Sequence, residues 1–572
     1  MDNVKHSFTD RKALLNRLRD ESQHNNQQSW DVIVVGGGIV GAGILQEATK
    51  RGLTALLIEQ KDFAWGTSSR SSKMIHGGLR YIAQGDIKLT KQSLTERETL
   101  LQQAPGLINR LGNYFVIRQK QFPGRFIMNT LLYLYDWLAG IKDHKFMPVK
   151  DLLEKFPNLT KNKLKGACYY TDAVVDDARL VLRVLQQSVE SGANILNYVK
   201  ATSLLKDPST ERVLGITIKE NTCAHTDNLN EEITLTSSIV INATGAWADK
   251  LRNEVIDEKR IRPLRGSHLV IARDRLPVMD ALLVLHPTDK RPVFIYPWEG
   301  ATIIGTTDLD HHENLDSEAS ISQHEVDYLL QLVSHSFPSA NITTKDIIST
   351  FSGVRPVITS EQEYKTRSKV AKHSKAKKPS KERRDHAVWA DNALITASGG
   401  KLTTFRLTAT EALNAAKPWL KTRNQHDTDH NKVIDRHRLF INKPLTQLFS
   451  SAQLMKIKHS KAWLQRLLGR YGNNTAMILT QTNESEQLAL GQSQFCLAEC
   501  RWAIKHEAVI HLDDLLLRRT RLGLLLTNGG EALFQQLATI FYQELGWDNA
   551  KWQDEVTRYK KIWRKSYYLP ET

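Results

Sequence analysis

Residues 30–60, "WDVIVVGGGIVGAGILQEATKRGLTALLIEQ", decide how the rest of the chain is read. The apolar, β-branched run at 31–35 predicts a strand, and the glycines after it a sharp turn. Helical spacing then holds as far as Arg51-Gly52, and a second apolar run at 54–58 ends on Glu59. Together these make one βαβ unit. Gly36, Gly38 and Gly41 stand in G-x-G-x-x-G order. The first glycine permits the tight turn, the second lets a pyrophosphate approach the backbone, and the third lets helix pack on strand. Glu59 is placed to take ribose hydroxyls. An acid there, rather than an arginine, disfavours a 2′-phosphate and leaves FAD and NAD as candidates.

Three later strand-like runs also end on glycine or a turn residue: "SIVINATG" at 238–245, "ATIIGTTD" at 301–308 and "ALITASGG" at 393–400. Ligands collect at such strand ends. Thr244-Gly245 let a backbone approach a cofactor lying across the sheet. Gly399-Gly400 precede an expected helix whose N-terminal N–H groups would stabilise charge on a reduced flavin. Glycine turns spread over so much sequence suit FAD, a long ligand, better than NAD. Aromatic, β-branched segments such as "RPVFIYPW" at 291–298 predict an antiparallel sheet interleaved with this unit. The fold class is therefore α/β, with an FAD-binding Rossmann-like domain, an interleaved antiparallel substrate domain and an α-helical C-terminal domain. The expected boundaries are a polar extension at 1–29, the interleaved domain at 30–425 and a helical cap at 430–572. Within the cap, 497–526 alternates apolar and charged residues at helical spacing.

Composition narrows the function classes. The 572 residues carry a net charge of +16, which invites a nucleic-acid reading. Yet "KTRSKVAKHSKAKKPSKERR" at 365–384 holds ten Lys/Arg against one acid, without interleaved aromatics. That suits a solvated loop or an anionic surface better than base stacking, so no nucleic-acid partner is expected. The four cysteines form no CxxC pair, which points to a reducing compartment and no thiolate metal site. Cys496 and Cys500, one helical turn apart, read as half-buried helix residues. The first 29 residues lack an apolar secretory core, and no window is long and apolar enough to span a bilayer. The expected place is the cytoplasmic side, with any membrane contact on the surface. "RFIMNTLLYLYDWLAGIK" at 125–142, with Trp137 between flanking cations, reads equally as an interfacial or a buried helix.

The ordered set "VVGGGIVGAGI" (34–44), "SSKMIHGGLRYI" (71–82), "DARLV" (177–181), "NATGAW" (242–247), "RGSHLVI" (265–271), "GTTD" (305–308), "SGVRP" (352–356) and "GGKLTTFR" (399–406) resembles the FAD-dependent, respiratory-chain glycerol-3-phosphate dehydrogenases. The likeness covers roughly residues 30–410 and continues more faintly through the C-terminus. It implies oxidation of sn-glycerol 3-phosphate to dihydroxyacetone phosphate, electrons passing from FAD to a membrane quinone. It also implies a peripheral protein on the cytoplasmic face of the inner membrane. A homodimer is a further expectation.

The resemblance places phosphate contacts at Arg80, Tyr81, Lys401 and Arg384, because a dianionic substrate needs several fixed cations. It assigns cofactor contacts to Gly36, Gly38, Gly41, Glu59, Ser71, Ser72, Gly77, Thr244, Gly245, Asp308, Gly399, Gly400 and Lys401, with Gly77-Gly78 letting the backbone pass close to the flavin. Removal of the C2 hydroxyl proton needs a base, for which His268 is the candidate and His76 the reserve. Arg355 stays protonated and is expected to stabilise the developing alkoxide. An amino-acid oxidase on the same fold would need one arginine for a carboxylate; a non-enzymatic flavin module would show no turnover.

Overall fold

The computed structural model describes residues 8, 10–23, 30–83, 85–222, 231–359, 386–420, 438–450 and 459–571, the side chains of Arg80 and Ala83 excepted. The quoted stretch folds as read: strand Trp30–Val35, helix Ile39–Lys50, strand Ala55–Ile58. Val32, Ile33 and Val34 are fully buried, as a parallel strand covered on both faces requires. Trp30–Val35 pairs in parallel with Ala55–Ile58 on one side and with Glu232–Asn242 on the other. Glu232–Asn242 pairs in parallel with Leu394–Gly399. Segments far apart in sequence thus end side by side at one sheet edge.

A second, ten-stranded sheet is largely antiparallel. Its strand Ile261–Ala272 lies between Ala301–Gly305 and Ile347–Ile358, in a register that sets His268 opposite both Gly305 and Phe351. The strand Ile347–Ile358 also runs against Leu394–Gly399 of the first sheet. The two sheets therefore meet at these strands.

Two segments depart from expectation, and a third falls between the two readings its sequence allows. The polar N-terminal extension contains a helix, Arg11–Gln23, which buries Leu14, Leu15 and Leu18 and ties Arg11 to Glu220 at 2.9 Å. The stretch 497–526 is not one helix but three pieces: Leu497–His506, a π-helical turn Asp514–Arg519 and Leu522–Leu525. Arg518, Arg519 and Arg521 of this stretch face inward, where they pair with the buried carboxylates of Asp62 and Asp177. Cys496 and Cys500 are fully rather than half buried. The apolar segment at 125–142 forms the helix Arg125–Ala139, closed by Gly140 in the left-handed region. Leu134 and Leu138 pack inward, whereas Phe126, Tyr133 and Trp137 are 84%, 67% and 69% exposed. The basic insert 365–384 lies outside the described residues.

The C-terminal helices are held by buried ion pairs. Asp62, just beyond Glu59, accepts from Arg519 at 2.6 and 2.7 Å and pairs with Arg518. Asp176 pairs with Arg470 at 2.8 Å, and Asp177 with Arg521 at 3.3 Å. Burial pushes the Asp176 carboxyl up, but the charges of Arg470, Arg521 and Lys73 outweigh it and hold it at about 2. A depressed folded-state pKa contributes stability above the unfolded carboxylate range and loses it as pH falls through the folded value. Acid destabilisation is therefore expected to grow from about pH 4 down toward pH 2. Asp62→Ala, which takes away the carboxylate that pairs with buried Arg519 and one of the three that meet Arg518, is expected to cost about 3–5 kcal/mol in denaturant unfolding. A change within experimental error would show that the seam is not holding the cap.

Candidate active site

The parallel strands point their C-terminal ends at one edge, and the loops that follow line a long cleft of about 1540 Å³, open mouth included. Gly36 and Gly38, Glu59 and Gln60, Thr244 and Gly245, and Gly399 through Lys401 all contribute. Gly36 has φ +115°, and a Cβ on Gly41 would lie 1.9 Å from the Gly36 carbonyl oxygen. Both glycines are thus imposed by main-chain packing as well as by ligand approach. The helix Ile39–Lys50 opens onto the cleft without a side-chain cap at Gly38. Its first N–H groups and the positive end of its dipole suit a pyrophosphate.

Glu59 accepts from Gly37 N–H at 2.7 Å and Lys61 N–H at 2.8 Å. Burial raises its pKa, opposed by those two hydrogen bonds. The carboxylate is fixed where a ribose would present its hydroxyls. Gly399 and Gly400 have φ of +79° and +76°, and the helix expected after them begins with a 3-10 turn, Leu402–Thr404, before Phe405–Ala415. The cleft, the helix N-terminus that opens onto it and the anchored acid together fit FAD.

Other parts of the cleft were not foreseen in the sequence. Val199–Thr202 and Trp65–Ser68 line it, as do Trp247 and Lys250. Trp65 and Trp247 lie with ring centroids 5.9 Å apart. Nothing in the local sequence of 199–202 marks it out; it reaches the cleft only because Val199 N–H bonds the Glu59 carbonyl at 2.8 Å.

The stretch 71–82 folds as a hinge between cleft and substrate sheet. Ser71 lines the cleft and donates to Asp177 at 2.7 Å. Ser72 is absent from the cleft lining; its Oγ lies 2.9 Å from His268 Nε2. Lys73 is fully buried against Asp177 at 2.9 Å, and burial, with Arg521 nearby, lowers it to about 8. Gly77 is required by packing: a Cβ there would sit 2.3 Å from Leu94 and 2.6 Å from Tyr135 Oη. The backbone of Gly78 carries φ +82° and lies against Lys401. Lys401 Nζ stands 3.7 Å over the Tyr81 ring and donates to Ser93 at 3.1 Å, so Tyr81 and Lys401 are together as expected. His76 is half-buried, and its carbonyl accepts from Thr403 Oγ1 at 3.5 Å. Arg80 lies in the helix Leu79–Ala83, its side chain outside the description. Arg384 lies outside the described residues.

His268 is 1% exposed and stacks on Phe351 at 4.4 Å. Burial, then the charges of Arg355 and Lys73, holds its pKa well below the usual histidine value. It is neutral near neutral pH and able to accept a proton. Arg355 adjoins Pro356, which lines the cleft. Its guanidinium donates to Thr306 Oγ1 at 3.2 Å and lies 3.4 Å from Asp308. Asp308, expected at the cofactor, is buried instead between Arg355 and Arg291, the latter at 3.6 Å. The turn that follows strand Ala301–Gly305 carries it into the substrate sheet, away from the cleft lining.

Residues 31–406 match the FAD dependent oxidoreductase family, and residues 439–552 match the C-terminal domain of alpha-glycerophosphate oxidase. The aerobic glycerol-3-phosphate dehydrogenase of Staphylococcus aureus strain MRSA252 is 34% identical over 532 residues, covering 89% of this chain and 90% of its own. That of Staphylococcus haemolyticus is 31% identical over 524 residues, covering 89% of each chain. Among solved structures, glycerol-3-phosphate dehydrogenase from Bacillus halodurans complexed with FAD superposes with a TM-score of 0.70 at 24% identity, over 96% of this chain and 97% of that one.

Asp308→Asn separates the two assignments for that residue. It is expected to leave the flavin-to-protein ratio unchanged while lowering turnover about tenfold or more, the cost of losing a charge-assisted contact to Arg355. Loss of flavin with normal Arg355-dependent kinetics would return Asp308 to the cofactor.

Proposed function

Because the chain belongs to the FAD-dependent glycerol-3-phosphate dehydrogenases, we propose that it oxidises sn-glycerol 3-phosphate at C2 to dihydroxyacetone phosphate and passes the electron pair to a quinone in the membrane. The observation that carries the reading is an FAD-shaped cleft lined by Lys401 and Pro356, next to which Arg355 acts by its charge on the buried, neutral His268. FAD, when bound, supplies the two-electron acceptor. Lys401 and Tyr81, joined by Arg80 and Arg384, bind the phosphate. Arg355, steadied by Asp308, stabilises negative charge as it develops on the C2 oxygen. His268 takes the C2 hydroxyl proton, its ring orientation set by Ser72 and Phe351. Several cations, rather than one arginine, favour a phosphate over the carboxylate of an amino-acid substrate.

The exposed aromatics support membrane contact. Phe126, Tyr133 and Trp137 fall on one stripe of the helix Arg125–Ala139, and Phe122 just before it is 78% exposed. Such a stripe would enter the lipid interface. Among the described residues no helix is long and apolar enough to cross a membrane. The protein would then be peripheral, with the basic insert over anionic headgroups.

Anaerobic addition of sn-glycerol 3-phosphate is expected to bleach the flavin absorbance; an unchanged spectrum in protein holding its flavin would overturn the reading. His268→Ala should slow that bleaching by about 10²-fold or more. In the parent protein only protonated His268 is inactive, so its lowered pKa should keep the bleaching rate flat as pH falls through the ordinary histidine range. Lys401→Ala should cost about ten- to a hundredfold in kcat/KM. Replacing Phe126 and Trp137 by Ser is expected to remove salt-resistant binding to liposomes while sparing turnover with a soluble dye.

A further inference from the structure

The exposed aromatic helix is one wall of a groove that the mechanism above does not use. Arg125, Phe126, Asn129, Thr130 and Tyr133 of that helix line it, and His144 closes the far side. His144 is not a bystander: its Nδ1 lies 2.7 Å from Asp136 Oδ2, and its backbone N–H donates to the same oxygen at 2.8 Å. Nε2 is the ring nitrogen that Asp136 does not engage. Arg125 is stacked over Phe146 at 3.8 Å, so its guanidinium plane is held at the groove's edge.

The other face of the helix looks toward the active site. Tyr135 is fully buried, accepts from Gly77 N–H at 2.9 Å and contacts Arg97, itself bound to Asp172 at 2.7 Å. Gly77 precedes Gly78, which lies against the cleft residue Lys401. A single helix, about 10 Å across, thus separates the groove from the turn beside the cleft.

We infer that this groove receives the ring of the lipid-borne quinone, with His144 as proton donor to one of its carbonyl oxygens. The inference rests on the reading that the acceptor is a membrane quinone. A quinone needs flat apolar walls, here Phe126 and Tyr133, a hydrogen-bond donor at a carbonyl, and an entrance within the membrane-facing stripe; the groove offers all three. Reduced FAD, when bound, would supply the two electrons and give up two protons to solvent as it is reoxidised. The quinone takes up those electrons and two protons, one delivered through His144 and one from water, and both C=O bonds become C–OH. His144 is then reprotonated from solvent.

The test compares two acceptors in the intact holoenzyme, phenazine methosulfate and a short-chain ubiquinone. His144→Ala and Asn129→Leu are expected to lower quinone-linked kcat/KM at least tenfold and leave dye-linked turnover unchanged. An azido-quinone photolabel should attach within residues 122–146 of the parent protein. Parent-like quinone reduction by both variants, or labelling elsewhere, would overturn the groove while leaving the acceptor intact. Parent protein that turns over with dye but reduces no quinone would overturn the acceptor reading itself, and the groove with it.

Discussion

The geometry of the active site depends on carboxylates that are allowed to stay charged without water. Asp62, Asp176 and Asp177 are all essentially buried, and each is met there by arginines from the C-terminal region, Asp177 by Lys73 as well. The desolvation cost of such groups is large, and removing one partner costs more than the pair gains. This makes the seam a poor source of net stability but a strict condition on the fold. The cap must dock in one register, because any other would leave a charge unanswered. Arg518, Arg519 and Arg521 come from a π-helical turn and its exit, where Arg521 takes a left-handed φ of 61°. An ordinary helix would distribute these three guanidiniums around its circumference. The local irregularity gathers them on one side.

Much of the nucleotide half was legible because its signals are short-range. Strand, glycine turn and helix at 30–60 fall within one window, and Glu59 lies at a fixed spacing from Gly36. The site loops at 244–245 and 399–401 were legible for the same reason, each ending its own strand. What was not legible depends on distant pairing. Val199–Thr202 reaches the cleft through a bond to Glu59, and Asp308 leaves it for Arg291 and Arg355. Gly77 reads as a point of close approach to a ligand, and the fold alone already requires a glycine there, beside Leu94 and Tyr135. A glycine shows that something is near, not what. The charged face of 497–526 misleads for a related reason: helical spacing shows which residues share a side, and only tertiary structure tells whether that side meets water or carboxylates.

The substrate side shows how burial sets chemical roles. Lys73, His268 and Arg355 are neighbours, all basic, and their environments separate them. Arg355 keeps its proton under any condition the fold survives. His268 is driven to the neutral form by burial and by the two cations beside it. Lys73, lowered to about 8 but paired with Asp177, is a structural cation that biases its neighbour. One positive cluster thus holds a permanent guanidinium cation beside a neutral imidazole, from residues that composition alone would count as equivalent.

Asp177 also joins two events that look separate. One of its oxygens holds Ser71, which lines the cofactor cleft; the other holds Lys73 and Arg521, the latter from the docked cap. Anything that orders Ser71 therefore orders the cap's anchor as well, and by reciprocity a docked cap prepares the cleft for its ligand. Biogenesis follows from this: a chain that has not yet acquired FAD holds its last hundred residues less firmly, and cofactor supply becomes a determinant of how long newly made protein survives proteolysis.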